Sequence, residues 1–173
     1  MRRFTQGFIL GFIVGPALFL VPALFGYLPV DAKASPPALE ARLANQALTA
    51  SLDRHAANLA NPVAPTEANL MEGMKMYKNM CAGCHGSPNG ESTFGASFYP
   101  RAPQFAEHAP RRPDWQLFWI IKNGVRYTSM PAWDVVFGKN ADEQTWKAVT
   151  FLSHLDSLPP AVYAEWHRKP DEK

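Results

Sequence analysis

The chain has 173 residues, enough for one compact domain with additional segments. Its 17 Lys and Arg against 15 Asp and Glu leave a formal net charge of +2, and charged residues make up 18% of the sequence. This near balance, without a basic stripe interleaved with aromatic residues, excludes a typical nucleic-acid-binding protein. We therefore expect no nucleic-acid partner.

The chain begins with a long apolar segment. Met1-Arg2-Arg3 precedes 21 residues without a charge, Phe8–Leu28. About 20 apolar residues cross the hydrocarbon core of a bilayer, whereas the apolar part of a secretory signal has about 7–15. Residues 1–30 are therefore predicted to be a membrane anchor with a transmembrane helix. A cleaved signal segment is the alternative, because Ala32-Lys33-Ala34 offers a small-x-small cleavage site.

The two arginines ahead of the apolar segment predict its orientation. Positive charges stay on the cytoplasmic side, so everything after residue 30 is expected outside the cytoplasm. We therefore expect the protein at the bacterial inner membrane, with its main domain in the periplasm or on the extracytoplasmic face.

Residues 31–65 are predicted to be a linker that contains an amphipathic helix. From Ala38 to about Ala60, apolar residues recur at helical spacing, and Asn61-Pro62 ends the pattern. The apolar positions are Leu39, Leu43, Ala47, Leu48, Leu52, Ala56 and Leu59. Two interpretations remain open: a spacer helix that packs on its own domain, or a docking arm that lays its leucines on a partner protein or the membrane surface.

The motif with the strongest chemical implication is Cys81-Ala82-Gly83-Cys84-His85, which contains both cysteines of the chain. It follows a predicted helix over residues 66–80. The spacing C-x-x-C-H is the attachment signature of a c-type haem. Two intervening residues set the thiols about one helical turn apart, and the adjacent imidazole is placed to bind the iron. Cys81, Cys84 and His85 are therefore predicted to bind one haem c covalently.

Other chemistries of a cysteine pair need features that this sequence lacks. A thioredoxin-like redox pair follows a buried strand in a βαβ pattern, and no such strand is predicted here. A structural disulfide across so short a loop would constrain little of the unfolded chain. A zinc site requires a second pair of ligands. The remaining histidines lie singly, at His55, His108, His154 and His167.

A long loop follows the motif. Residues 86–112 show no apolar period and carry several prolines, the pattern of a loop over a cofactor. A short helix is predicted over residues 113–123, because Pro113-Asp114 is a favourable start and Gly124 a favourable stop. A polar loop then leads into Met130-Pro131-Ala132-Trp133.

The last predicted helix runs from about Ala141 to Leu155 and is ended by Pro159-Pro160. Its apolar face comprises Trp146, Val149, Leu152 and Leu155, with Phe151 beside it. Strand alternation is missing throughout. Residues 66–158 are therefore predicted to be an all-α domain with long loops, and residues 159–173 a C-terminal tail.

Over residues 66–158 the chain resembles the class I c-type cytochromes. The resemblance rests on several motifs in order: Gly73 and Tyr77, Cys81-Ala82-Gly83-Cys84-His85-Gly86, Phe98-Tyr99-Pro100-Arg101-Ala102-Pro103, Asn123-Gly124-Val125, Met130-Pro131-Ala132-Trp133 and an aromatic-rich final helix. It implies the cytochrome c fold, in which three to four helices and long loops surround one haem. It also implies that the first and last helices cross at Gly73, packed against Trp146 or Phe151. Residues 1–65, with the transmembrane and amphipathic helices, are an extension that small soluble members lack.

The resemblance implies Met130 as the sixth ligand of the iron, in addition to His85. Met130 lies 45 residues beyond His85, enough chain to reach the far side of the haem ring, and Pro131 stiffens its approach. Four other methionines lie too close to the motif in sequence and are assigned to the core or the surface: Met71, Met74, Met76 and Met80. His108 and His154 are rival ligands, and an open sixth position is the remaining alternative.

Ligation by His85 and Met130 would fill both axial positions and leave no place for a substrate. The protein is therefore predicted to be an electron carrier and not an enzyme, with no small-molecule substrate. Its expected partners are a redox-protein donor and acceptor, among them membrane complexes. One alternative is a fixed haem subunit of a larger membrane oxidoreductase or photosynthetic complex. Another is a haem sensor with an exchangeable sixth ligand.

Two further expectations concern contacts around the haem. His85 is expected to donate its second ring N–H to a backbone carbonyl of residues 100–103, which would orient the imidazole. Arg101, Tyr127 and Trp133 are candidates to hydrogen-bond the haem propionates, with packing or surface roles as the alternative.

Overall fold

A computed structural model describes residues 2–105 and 108–168, without the side chains of residues 2–6 and 9. Two compact units make up the chain, Met1–Asp31 and Ala32–Lys173. The described residues contain helices, turns and loops but no β-strand, and one isolated bridge joins Ser87 to Gly90. The predicted all-α class is therefore confirmed, and the fold is consistent with that of cytochrome c.

The first unit is built around helix α1, Arg2–Leu24. The helix contains Pro16 and Pro22, and it ends four residues before the uncharged segment does. In the part of the chain that the structure describes, no helix combines the length and the apolar character needed to cross a membrane. The structure thus gives no support to the transmembrane helix predicted over residues 8–28.

Helix α2, Ala38–His55, belongs to the second unit and ends about five residues earlier than the apolar pattern in the sequence. It contacts its own domain near both ends. Leu52 is fully buried, and the carboxylate of Glu40 accepts a hydrogen bond from the Tyr99 hydroxyl (2.7 Å). Of the two interpretations left open by the sequence, the structure therefore supports the helix that packs on its own domain.

The chain after α2 forms helices in the following order. They are α3 (Glu67–Met76), a π turn (Tyr77–Cys81), α4 (Ala82–His85), α5 (Asp114–Asn123), α6 (Asp134–Phe137), α7 (Ala141–Ser153) and α8 (Pro160–Trp166). Short 3-10 turns cover Gly95–Ser97, Gly138–Asn140 and Leu155–Ser157. Thr66 caps α3, since its hydroxyl accepts a hydrogen bond from the Asn69 N–H (3.3 Å). The predicted helices over residues 113–123 and 141–155 are confirmed to within two residues.

Helices α3 and α7 cross at Gly73. A methyl group at this position would overlap the backbone oxygen of Lys147 and lie 2.8 Å from Phe151 Cβ. Glycine therefore allows α3 to approach α7 with no side chain between the two backbones. The predicted packing of Gly73 against the last helix is confirmed, with Phe151 as the neighbour. Trp146 stacks instead on Phe118 of α5, with ring centroids 4.1 Å apart.

The hydrophobic core lies where α3, α5, α7 and α8 meet. The predicted apolar face of the last helix is buried, at 8% exposure or less for every member. Burying a large apolar side chain contributes about 1.5–3 kcal/mol relative to leaving it exposed, so this face holds α7 firmly against its neighbours. The other core residues are Leu70, Met74, Tyr77, Leu117, Ile121, Ala148, Val162 and Trp166.

Helix α8 lies in the segment for which the sequence predicts a C-terminal tail. Val162 is fully buried and Trp166 is 3% exposed, so this helix is part of the core. Pro159-Pro160 ends the preceding helical segment, but proline is also favoured in the first turn of a helix, and here it begins one. The structure thus extends the core beyond the predicted boundary at residue 158, while residues 169–173 lie outside the described part of the chain.

Replacing Gly73 with Ala should destabilise the domain by about 3 kcal/mol, because the added methyl group forces α3 away from α7. Unfolding in guanidinium chloride measures this loss. The midpoint of unfolding should fall, while the dependence of the unfolding free energy on denaturant concentration stays the same. Lys75→Ala, at an exposed position of the same helix, is the matched control and should stay within about 0.5 kcal/mol of wild type. Equal midpoints for Gly73→Ala and wild type would contradict the close crossing.

Candidate functional site

The motif at residues 81–85 lies at the end of a continuous helical segment. Helix α3 runs into the π turn, and the π turn runs into α4, without an intervening loop. A single π turn adds one residue to a helical turn and is frequent at functional sites. Cys81 and Cys84 are three residues apart on this segment, a spacing that brings side chains onto one side, and no disulfide joins them.

The surroundings of the thiols oppose the other chemistries of a cysteine pair. Burial, and then the nearby Cys84, raise the pKa of Cys81 to about 12, whereas a reactive redox pair needs a lowered thiol pKa. Among residues 2–105 and 108–168, no group of three or more His, Cys, Asp or Glu is arranged to hold a metal ion. Neither a thioredoxin-like pair nor a zinc site is therefore supported.

The His85 imidazole is oriented by the loop that follows the motif. Its Nδ1 lies 2.8 Å from the backbone oxygen of Pro103. Because a carbonyl oxygen only accepts hydrogen bonds, Nδ1 carries the proton and the lone pair of Nε2 is available. Burial lowers the pKa of His85 while the bond to Pro103 opposes this shift, and the ring stacks on Phe105 with centroids 5.1 Å apart. The predicted hydrogen bond from His85 to residues 100–103 is confirmed.

Gln104 fastens this loop to the motif. Its amide nitrogen donates a hydrogen bond to Cys84 O (3.0 Å), and its amide oxygen accepts one from the Ser92 N–H (2.7 Å). Gly95 lies against the same carbonyl, since a methyl group there would overlap Cys84 O. Sequence reasoning missed Gln104, because its partners are 20 and 12 residues away and a glutamine in a loop carries no periodic signal.

Tyr77 supports the motif from the helical side. Its hydroxyl donates hydrogen bonds to Gly86 O (2.9 Å) and His85 O (3.2 Å), and the side chain is 1% exposed. Burial raises the pKa of Tyr77 far above its usual range, so the hydroxyl stays protonated and remains a donor. The resemblance to c-type cytochromes includes Tyr77 among its motifs, but nothing local in the sequence pointed to the role of its hydroxyl.

Met130 lies in a loop whose backbone closes on itself. The Val125 N–H donates to Met130 O (3.1 Å), and the Met130 N–H donates to the Thr128 hydroxyl (3.1 Å). Gly124 has a φ of +69°, and a side chain there would approach Met130 O to 2.8 Å. The half-buried Met130 side chain packs against the same hydrophobic cluster as Cys81. The structure therefore brings Met130 to the core that the motif borders, and its role as an iron ligand stays a prediction.

The rival histidines have other surroundings. The His108 side chain is 86% exposed, and its Nδ1 lies 3.9 Å from the carboxylate of Asp156. His154 Nδ1 lies 2.9 Å from the Thr150 backbone oxygen, so it donates a hydrogen bond at the end of its own helix. Both observations agree with the surface and capping roles that histidine commonly takes.

The remaining candidates divide between core and surface. Met74 is buried, Met71 and Met76 pack against the core, and Met80 is 39% exposed, which agrees with the core or surface positions predicted for them. Of the residues suggested for the propionates, Arg101 and Tyr127 are exposed. The third, Trp133, is half-buried and stacks on Phe137 with ring centroids 5.6 Å apart. Their contact with propionates stays a prediction.

Comparison with known families adds one match. A family model described as "Cytochrome C oxidase, cbb3-type, subunit III" matches residues 68–152. The matched segment begins in α3, includes the motif and Met130, and ends in α7, so α2 and α8 lie outside it. Comparison with curated proteins finds no match. The family match agrees with the resemblance to c-type cytochromes over this segment.

Replacing Gln104 with Ala should lower stability by about 2 kcal/mol, because the hydrogen bonds to Cys84 O and from the Ser92 N–H are both lost. Amide hydrogen exchange at Ser92 should also be faster in this variant, because the Ser92 N–H loses its hydrogen-bond acceptor. Asn89→Ala, at an exposed position of the same loop, is the control and should change neither quantity. Unchanged exchange at Ser92 in the Gln104 variant would contradict this role.

Proposed function

Because residues 68–152 are a c-type cytochrome domain, we propose that the protein is a single-electron carrier built around one haem c. Cys81 and Cys84 would hold the haem through thioether bonds, and His85 and Met130 would bind its iron. The observation that carries this assignment is the hydrogen bond from His85 Nδ1 to the backbone oxygen of Pro103. It leaves Nε2 free as the ligand atom.

The surroundings of these residues fit an apolar macrocycle. Cys81, Phe105, Met130 and Trp133 are half-buried and border one hydrophobic cluster. Side chains of this kind exclude water and lower the local dielectric, which are means by which a protein tunes a haem. A haem bound there supplies one-electron oxidation and reduction of iron.

The two ligand side chains differ in what they contribute. His85 offers a neutral imidazole whose proton is held at Nδ1 by Pro103. Met130 offers a soft, neutral thioether, which raises the reduction potential relative to a second histidine. Iron bound by both side chains would have no position left for a substrate. Such a ligand pair favours an electron carrier rather than an enzyme.

We also propose that residues 1–30 hold the haem domain at the bacterial inner membrane, on the periplasmic side. The support comes from the sequence, in which Arg2 and Arg3 precede the uncharged segment 8–28. In α1, the side chains of Phe12 and Leu18 are 75% and 73% exposed, and such apolar surface favours contact with lipid. A tether would raise the effective concentration of the haem at membrane redox complexes, which are the proposed donor and acceptor.

A second candidate function is a fixed haem subunit of a larger membrane oxidoreductase. The description of the matching family, which names subunit III of an oxidase, favours it. Leu39 and Leu43 on α2 are 69% and 56% exposed and would serve as an assembly surface in that case. Electron transfer by the haem is common to both candidates, so they differ only in whether the protein leaves its partners.

Isolation from native membranes separates the two candidates. A tethered carrier should sediment with membranes, require mild detergent for release, and then elute alone at high salt because few contacts hold it to partners. A stoichiometric complex that survives high salt would establish the fixed subunit and exclude the carrier that moves between partners. Release of the full-length protein by salt without detergent would contradict the membrane tether.

Replacing Met130 with Ala should leave the haem attached, because the thioether bonds are untouched, but should open the sixth position of the iron. The ferric iron–thioether charge-transfer band should disappear, the reduction potential should fall, and the reduced variant should bind carbon monoxide. Met71→Ala, which removes a half-buried methionine from α3, is the matched control and should keep the band.

Two outcomes would contradict this ligand assignment. Unchanged spectra of the Met130 variant would show that another group binds the iron. Carbon monoxide binding by the reduced wild-type protein at neutral pH would instead support a haem sensor with an exchangeable sixth ligand.

A further inference from the structure

The hydroxyl of Tyr77 acts on the backbone of the residue that carries the imidazole. It donates to His85 O and to Gly86 O, at 3.2 and 2.9 Å. His85 O accepts a second hydrogen bond from the Phe105 N–H at 2.8 Å. The carbonyl of His85 is thus held from the loop side by Phe105 and from the helical side by Tyr77.

The ring of Tyr77 is in turn held by α8. Trp166 meets it edge to face, with centroids 5.5 Å apart and an interplanar angle of 74°. The ring centroid of Trp166 also lies 5.1 Å from that of Phe151, and the Phe151 centroid lies 5.7 Å from that of Tyr77. Such aromatic contacts contribute about 0.5–1.5 kcal/mol beyond the area they bury, and they restrict the orientation of the rings.

A separate contact fastens α8 to the π turn that precedes the motif. Lys78 Nζ donates a hydrogen bond to the backbone oxygen of Glu165 (2.6 Å) and lies 5.6 Å from the centre of the Trp166 ring. Helix α8 is therefore attached to two adjacent residues of the π turn, to Tyr77 through the Trp166 ring and to the half-buried Lys78 through Glu165 O. Helix α8 itself lies outside residues 68–152, the segment that the family model matches.

We infer that Trp166 and Tyr77 are positioning residues for the proximal ligand: Trp166 fixes the Tyr77 ring, and the Tyr77 hydroxyl fixes the backbone of His85. This inference rests on the proposed function in one respect, that His85 binds the haem iron. The position of His85 is then fixed at two points: Pro103 holds its ring at Nδ1, and Tyr77 holds its backbone carbonyl. Helix α8 is a part of the haem site and not a packing element alone.

The orientation of the imidazole is the quantity that this arrangement controls. Outer contacts that hold a ligating histidine set its ring orientation and its basicity toward the metal. Loss of the Tyr77 hydroxyl leaves the ring anchored at Nδ1 and lets the backbone of His85 relax. The ring orientation is read from the g values of the low-spin ferric protein and from its hyperfine-shifted haem methyl resonances.

The experiment uses the full-length holoprotein in four forms: wild type, Tyr77→Phe, Trp166→Leu and the double variant. Both single variants should shift the g values and the methyl resonances in the same direction. In the Tyr77→Phe background, Trp166→Leu should add no further shift, because the hydroxyl through which it acts is already gone. Tyr163→Leu, at a 55% exposed position of α8, is the matched control and should leave both signals in place.

A purely structural role for α8 gives a different result. In that case Trp166→Leu lowers the melting temperature and leaves the g values and methyl resonances where they are in wild type, which overturns the inference. Additive shifts in the double variant overturn it as well, since Trp166 would then act by a route that bypasses Tyr77.

Lys78→Met keeps the test decisive where Trp166→Leu fails to fold. It removes the hydrogen bond to Glu165 O without altering a core side chain, and should produce a smaller shift in the same direction. Absence of any shift in both Lys78→Met and Tyr77→Phe overturns the inference. Failure of the proposed function is seen separately, because the wild-type protein would then lack the low-spin ferric signals of a histidine-ligated haem.

Discussion

The close approach of α3 to α7 at Gly73 is the contact on which the rest of the domain depends. The backbone oxygen of Lys147 and the side chain of Phe151 occupy the space that any larger residue at position 73 would need. Because α3 continues without a loop into residues 81–85, this crossing also sets where the two thiols and the imidazole lie. Close packing transmits a shift at the crossing directly to the site, since protein interiors have little free volume to absorb it.

The site itself is assembled from separate parts of the chain around His85. Pro103 holds the ring, Phe105 and Tyr77 hold the backbone carbonyl, and Gln104 ties the supporting loop back to Cys84. The lone pair of Nε2 is thereby left available, because the ring proton is held on Nδ1. Such preorganisation lets the chain itself define the position of a ligand, rather than relying on the cofactor to impose it.

How much of this could be predicted depends on whether the signal is local. Helices α5 and α7 follow from apolar spacing and from start and stop residues such as Pro113 and Gly124, all of which lie within or directly beside the elements they define. Helix α8 was missed because Pro159-Pro160 ends one helical segment and begins another, and the sequence alone favours the first interpretation. The predicted transmembrane helix rests on hydropathy over residues 8–28, and the described structure does not support it.

By itself, the sequence determined the chemistry and the class of fold. Five consecutive residues carry the two thiols and the imidazole at the spacing that haem c requires, and the alternation typical of strands is missing. Only the tertiary structure decided that Pro103 faces His85, that Gln104 ties the loop to Cys84, and that Trp166 packs on Tyr77. Each of these contacts joins residues far apart in the chain. The packing of the helices brings them together, and no local pattern of residues specifies it.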